Sequence, residues 1–468
     1  MDFREEILRS AYETAERIAP SVVEGRATVP LCSWHERLDD IMTSAALGFP
    51  IMLVLLAGIL WLTIRGANYP SDVLASGFSK LETFLAATLE HARAPGWLGS
   101  MLLYGIYRTT AWVVSVMLPP MAIFFPIFTL LENLGYLPRV AFNLDNLFKR
   151  VGAHGKQALT MCMGFGCNAA GVVSCRVIDC YRERLMAILT NNFIPCNGRF
   201  PLLIILATLF FGETTNVDGP TTNGPIRTAV VNARISPDGA SVHSPAVITV
   251  AGLIIFGVLV TFFVSWFLAR TFLRGVPSGF ALEIPPYRLP QIGKILVKSL
   301  LDRTLIVLVR AVTIAAPAGA VVWILANTAT SEAPGSPSLL SSAAALLEPI
   351  GRVLGMDGFI LMGFLLGLPA NEIVLPITLM GYLSAGTLIK VEGLQTLRLI
   401  LVKQQGWTWT TALSVMLFSL LHYPCGTTLF TIWKETGSVK WTVLAAVIPL
   451  AVACTACFTF NQIVKLFL

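Results

Sequence analysis

The stretch Leu185-Met186-Ala187-Ile188-Leu189-Thr190-Asn191-Asn192-Phe193-Ile194-Pro195-Cys196-Asn197-Gly198-Arg199-Phe200-Pro201 begins an apolar region, residues 185–212, that could cross a bilayer but is repeatedly interrupted. Its Asn, Pro, Gly and Arg residues forbid one uninterrupted helix, and backbone that is not helical at membrane depth is tolerated only where protein or a water-lined cavity satisfies it. A second region, 358–389, is apolar and broken in the same manner by Gly367, Pro369, Asn371, Glu372 and Pro376. Both regions therefore point inward, to a pathway.

Around them lie uncharged runs at 46–64, 109–131, 246–268, 311–331, 404–433 and 441–464, each near the length that spans about 30 Å of hydrocarbon. Across 468 residues, 55% are hydrophobic and 13% charged, with a mean hydropathy of +0.72. A water-soluble surface cannot be built from that composition, and disordered, fibrous and disulfide-scaffold classes are excluded with it. The expectation is an all-α polytopic membrane protein of about eight transmembrane helices, with two gate regions containing broken or re-entrant segments.

Basic residues orient the chain. Residues 132–184 carry Arg139, Lys149, Arg150, Lys156, Arg176, Arg182 and Arg184, and the loop after Leu268 carries Arg270, Arg274, Arg288, Lys294, Lys298 and Arg303. Residues 213–245 and 327–357 are poor in Lys and Arg, so the first pair is expected inside and the second outside. Eight crossings then put both termini inside. The net charge of +6 needs no nucleic acid to explain it. Residues 1–40 are too charged for a secretory signal and have helical spacing at Ile7, Ala11, Ala15 and Ile18; 72–92 and 139–151 read as further helices along the membrane surface. The organisation is an N-terminal segment 1–40, a first gate half 41–245, a linking span and basic loop 246–303, and a second gate half 304–468.

The halves resemble each other. Arg108-Thr109, Met163-Gly164-Phe165-Gly166-Cys167-Asn168 and Ile194-Pro195-Cys196-Asn197-Gly198 have counterparts in Arg303-Thr304, Met362-Gly363-Phe364 with Leu368-Pro369-Ala370-Asn371-Glu372, and Tyr423-Pro424-Cys425-Gly426. Paired halves with interrupted apolar segments at matching places point to a transport site. Cys167, Cys196 and Cys425 each sit beside a helix breaker, where thiolate could join Asn168, Asn197 or Glu372 oxygen around a late first-row divalent metal. Cys454, Cys457, Cys32, Cys175 and Cys180 read as small buried hydrophobes. Glu372 is either a ligand or half of an ion pair with Arg199 or Arg310. His422, three residues before Cys425, either adds a ligand or hydrogen-bonds a carbonyl. No H-E-x-x-H, G-x-S-x-G or G-x-x-x-x-G-K-[ST] motif occurs.

Taken in order, Leu131-Glu132-Asn133-Leu134-Gly135-Tyr136-Leu137-Pro138-Arg139, His154-Gly155-Lys156, Gly164-Phe165-Gly166-Cys167-Asn168, 196–201, 368–374, Tyr423-Pro424-Cys425 and Lys434-Glu435-Thr436-Gly437-Ser438 resemble the membrane domain of the ferrous iron transport protein B (FeoB) family. The resemblance runs from about Trp34 onward. It implies ferrous iron as the transported substrate, no tightly bound cofactor, gate cysteines near the path, and the bacterial cytoplasmic membrane as location. Two departures stand out: Ala169-Ala170 where the family has Pro two residues after the Asn, and no N-terminal GTP-binding domain. Implied partners are the lipid bilayer, a separate cytoplasmic GTPase and a small accessory protein, with self-association left open. Competing expectations are a non-transporting subunit that anchors a GTPase, and a carrier of nucleoside-like solutes.

Overall fold

The structure, a computed structural model, describes residues 3–22, 34–44, 47–93, 95–153, 155–212, 245–275, 293, 297, 299–329, 337–388 and 394–467. Cys32, Arg288, Lys294, Lys298 and the expected outer loop at 213–244 lie outside these residues. Everything regular among the described residues is helical, as the composition requires; one isolated bridge joins Ala329 and Ser338.

Two amphipathic helices, α1 (Phe3–Val22) and α2 (Trp34–Thr43), precede α3 (Gly48–His91). The surface helix expected at 72–92 is not separate. It continues α3, because residues 65–71 contain no breaker stronger than Pro70, which α3 carries in its interior. α4 (Gly96–Asn133) packs back along α3, fastened by the Arg108–Glu82 ion pair and by the Tyr107 hydroxyl donating to Phe78 O at 2.8 Å. The amphipathic α5 (Tyr136–Arg150) follows, as its apolar spacing requires. Arg139, 1% exposed, donates to both carboxylate oxygens of Asp39 and so ties α5 to α2.

Next come α6 (Lys156–Gly166) and α7 (Asn168–Ser174), joined at Cys167, then α8 (Tyr181–Thr190) and α9 (Phe200–Phe211), joined across Asn191–Arg199, and then α10 (Pro245–Arg270). The second half repeats this order: α11 (Ile306–Asn327), amphipathic α12 (Leu339–Val353), α13 (Gly358–Leu366) and α14 (Val374–Tyr382), α15 (Trp409–Leu421) and α16 (Gly426–Thr436), and finally α17 (Val439–Phe467). The run at 404–433, read as one clean span, is thus a second broken one.

The corresponding helices α4 and α11 are antiparallel. Gly105 near the start of α4 lies against Gly319 and Trp323 near the end of α11, while Thr129 near the end of α4 hydrogen-bonds Ser299 just before α11. A wide π turn precedes each of them, Met101–Tyr107 and Ser299–Leu305. The duplication is therefore inverted.

Among the described residues six helices are long and apolar enough to cross a membrane, or up to seven if the pair α12 and α13, bent by 109°, counts as one. The distance from the expected eight is explained by 358–389, which turns back. Asp357 at the start of α13 accepts from the Tyr382 hydroxyl at the end of α14, so this segment enters and leaves on one side. α6 and α7 do the same: Lys156 at the start reaches Val177 O at 3.1 Å and Asp179 at 2.8 Å past the end. Both are re-entrant hairpins. The core between them is dense, with Phe193, Ile194, Leu203, Leu206, Leu420 and Leu421 essentially without exposed surface.

Candidate functional site

The tips of the two hairpins have one backbone shape. Cys167 (φ −156°, ψ 125°) and Ala370 (φ −154°, ψ 124°) are both extended residues set between a helix that ends and an Asn that begins the return arm. Each tip touches a broken span through the main chain: Asn197 N donates to Gly166 O at 3.4 Å, and Gly426 N to Leu368 O at 2.6 Å. The breaks themselves follow from Pro195 and Pro424, which lack an N–H and force the preceding residue out of the helix. Ile194, before Pro195, is accordingly extended at ψ 124°.

Arg199 sits at the centre, with no exposed surface. Its Nη1 donates to Asn192 O and Leu420 O, both at 2.7 Å, and its Nη2 to Asn192 Oδ1 and His422 O at 3.0 Å and Tyr423 O at 3.3 Å. These carbonyls are the ones left unpaired where α8 and α15 stop. A buried cation there satisfies them and opposes the negative ends of two helices. Arg199 is therefore not the ion-pair partner of Glu372, and neither is Arg310, which donates to Thr431 at 3.2 Å.

Glu372 forms no ion pair among the described residues. Its carboxylate lies directly on Gly198, where any Cβ would collide with Oε1. The Gly at 198 is thus what lets a carboxylate from the second hairpin reach the break of the first half. Cys425 caps the N-terminus of α16, with its sulfur 3.2 Å from Thr428 Oγ1. The bond from Asn197 N to Gly166 O brings together the chain neighbours of Cys196 and Cys167, and the bond from Gly426 N to Leu368 O sets Cys425 beside the second tip. In this arrangement no three His, Cys, Asp or Glu side chains among the described residues close into a ligand set for one ion.

Asn168 and Asn197 flank the same point. Asn168, 3% exposed, donates to Asn192 Oδ1 at 3.4 Å, while its own Oδ1 is buried without a partner. Asn197 lines a narrow, mostly apolar cavity with Thr63, Met121, Phe124 and Gly166. His422, 1% exposed, takes the carbonyl reading: Nδ1 lies 2.9 Å from Ser419 O and 3.1 Å from Phe418 O, which makes it the protonated nitrogen. Its Nε2 is buried without a partner, between the rings of Phe364 and Tyr423.

In the sequence, Asn191 and Asn192 register only as helix breakers. The structure gives them positions at the centre: Asn191 wedges between Gly164 and Gly171 of the first hairpin and donates to Asn168 O at 3.2 Å, and Asn192 donates to His422 O at 2.6 Å. Adjacent buried amides inside an apolar run were the available signal. Away from this centre, Cys457 donates to Ser414 O at 3.5 Å and Cys175 to Gly171 O at 3.3 Å, both as packed hydrophobes.

Comparison with known proteins adds the following. Residues 114–210 and 308–439 match the family profile described as Gate, nucleoside recognition, and residues 250–302 match that of the ferrous iron transport protein B C terminus. A protein named Fe(2+) transporter FeoB from Staphylococcus aureus (strain MSSA476) is 28% identical over 93% of this chain and 60% of its own length. One of the same name from Campylobacter jejuni is 25% identical over 99% of this chain and 70% of its own. A Porphyromonas gingivalis protein named as a fusion of Fe(2+) transport protein A and Fe(2+) transporter FeoB is 22% identical over 92% of this chain and 52% of its own. The chain thus spans about 60% of the length of the first relatives it matches. No solved structure matches it.

Proposed function

The chain belongs to the FeoB family, and on that premise we propose that it carries a divalent transition metal, ferrous iron foremost, through the junction of its two gates. The observation that supports this reading is the meeting of each hairpin tip with a broken span, Asn197 N on Gly166 O, Gly426 N on Leu368 O and the Glu372 carboxylate on Gly198, next to Cys167, Cys196 and Cys425. Thiolate and carboxylate together suit a borderline divalent ion, and an incomplete set releases it readily. Asn168 and Asn197 supply oxygen beside the path. His422 and Arg199 hold the breaks open from behind. The names of the relatives agree with an iron substrate, and the fusion relative agrees with a small accessory partner. A GTPase acting as a separate polypeptide is the energy source that fits the family.

The membrane is the bacterial cytoplasmic one. With the basic stretch 132–184 inside, the first hairpin enters from the cytoplasm and the second from outside. α3, α4, α8 with α9, α10, α11, α15 with α16, and α17 then give seven crossings, which place the C-terminus outside; a C-terminal reporter checks this.

Proteoliposomes loaded with an iron-sensitive dye test the function. Uptake of ferrous iron, competed by excess manganese or zinc, is expected. Cys167→Ser, Cys196→Ser or Cys425→Ser should each lower it at least about tenfold at unchanged abundance, since Ser is a hard and poorly ionised ligand. Cys454→Ser should change little. The profile name Gate, nucleoside recognition, favours a second reading, a nucleoside-like solute. Competition by nucleoside and none by metals would select it.

A further inference from the structure

α7 and α16, one from each half of the inverted repeat, pack against each other. They run parallel. At one end the N-cap residue of each is a cysteine, Cys167 on α7 and Cys425 on α16. At the other end Arg176 and Glu435 meet as a two-pronged ion pair: Nε donates to Oε2 and Nη2 to Oε1, each at 2.7 Å. The spacing agrees. Nine residues separate Cys167 from Arg176 and ten separate Cys425 from Glu435, about 14 and 15 Å of helix at 1.5 Å per residue.

A planar guanidinium facing a carboxylate with two parallel bonds fixes direction as well as distance. Among the described residues no other side-chain hydrogen bond or ion pair joins these two helices, so their register has no second polar tie. Glu435 is itself held: α16 ends at Gly437 in the left-handed region (φ 62°), and the Thr436 hydroxyl donates to Ile432 O at 2.8 Å. Arg176 leans out on the single turn Cys175–Val177 that ends the hairpin.

The geometry points to Arg176 and Glu435 as positioning residues that pin the register of α7 against α16 and thereby hold Cys167 level with Cys425. This deepens the metal-path reading and rests on it for its purpose, but the pin itself is a statement about two sulfur atoms. Nothing in the pin touches the transported ion. A slip of one residue would move one cysteine by about 1.5 Å along the other, enough to spoil a two-sulfur contact to one ion.

The test uses purified full-length chain with Cys167 and Cys425 as its only cysteines, titrated with cadmium and read by thiolate-to-cadmium charge-transfer absorption. The pair should bind cadmium through both thiols. Glu435→Gln and Arg176→Gln should each weaken binding about tenfold, the size of a coupling within one contact network, and the swap Arg176→Glu with Glu435→Arg should restore most of it. Absence of the two-thiol band in the parent, unchanged affinity in both single variants, or a swap no better than the singles would overturn the pin. Since both residues sit at the water-facing end of their helices, the swap also exposes a mere folding defect, which it would not repair. Iron uptake in the same variants separates the two ideas: normal cadmium behaviour without any metal uptake removes the transport reading and leaves the pin standing.

Discussion

The two hairpin tips share one backbone and carry opposite chemistry. Aligned on their matching extended residues, the first tip reads Cys167-Asn168-Ala169 and the second Ala370-Asn371-Glu372. A soft sulfur occupies one tip and a hard carboxylate the other, displaced by two residues. The broken spans are unequal too, for where the first half has Arg199 three residues after its cysteine, the second has Thr428. Duplication supplied a near-symmetric frame; single residues then made its two mouths chemically different. On the proposed function, an ion crossing the centre would leave a different donor set from the one it enters.

Removing Arg199 should strain this comparison most, because one side chain of the first half serves the carbonyls of both. Arg199→Leu leaves the buried acceptors Asn192 O and Leu420 O without their donor, while His422 O keeps Asn192, and should cost about 3–5 kcal/mol, seen as a lower unfolding midpoint in detergent. Arg199→Lys should recover only a part, since an ammonium cannot reach five acceptors in one plane. A midpoint unchanged by Leu would mean that the two breaks do not depend on this residue.

Gly198→Ala acts where the halves touch. The new methyl displaces the Glu372 carboxylate, so uptake should fall by roughly tenfold or more, and Glu372→Ala should not lower it further in that background. Additive losses would separate the two positions. A milder change makes the tips alike: Ala370→Cys places a sulfur at the matching position, and should tighten cadmium binding by about tenfold while slowing release of iron. Equal affinity in parent and variant would show that Ala370 does not face the shared centre.

The smallest effect is one of pH, on the corner that leads into the second hairpin. Glu348, outside the spans, accepts from Gly358 N at 2.7 Å and from Arg352 at 2.8 Å, and these bonds hold its carboxyl below the ordinary carboxylate range. A depressed folded-state value means the contribution is present above the unfolded value and is lost as pH falls through the folded one, so the corner should loosen below about pH 4. Amide exchange at Gly358, compared between parent and Glu348→Gln, reads it; a parent profile as flat as that of the Gln variant would dismiss the bond.

Helices, breaks and duplication were legible in the sequence because each is written locally, in apolar run lengths and in Pro, Gly and Asn. The inversion was not. Region 358–389 is long enough for a crossing, and contacts across it, Asp357 with Tyr382 and Phe359 with Gly381 and Tyr382, show that it turns back. Arg199 announced itself as a charge in an apolar run, yet its acceptors at Leu420 and His422 lie more than two hundred residues away, beyond any local pattern. For Glu372 the sequence leaves a ligand or half of an ion pair open, because a lone carboxylate in an apolar run needs one or the other. The close approach of Gly198 that accommodates it instead depends on how two halves dock. Residues 72–92 kept the same amphipathic period whether detached or joined to α3, so periodicity alone could not separate the two.

α3 has a consequence of a practical kind. Its 44 residues make a rod of about 66 Å, against about 30 Å of hydrocarbon, and its second part carries Asp72, Lys80, Glu82 and Glu90, which keep that part in water. With α4 strapped alongside by Arg108 and Tyr107, the molecule bears a two-helix mast that has no counterpart among the described residues of the second half. In a detergent micelle such a mast breaks the pseudo-symmetry that would otherwise confuse the two halves in projection. An antibody fragment raised against its tip would mark up from down in every particle image, without touching the gates.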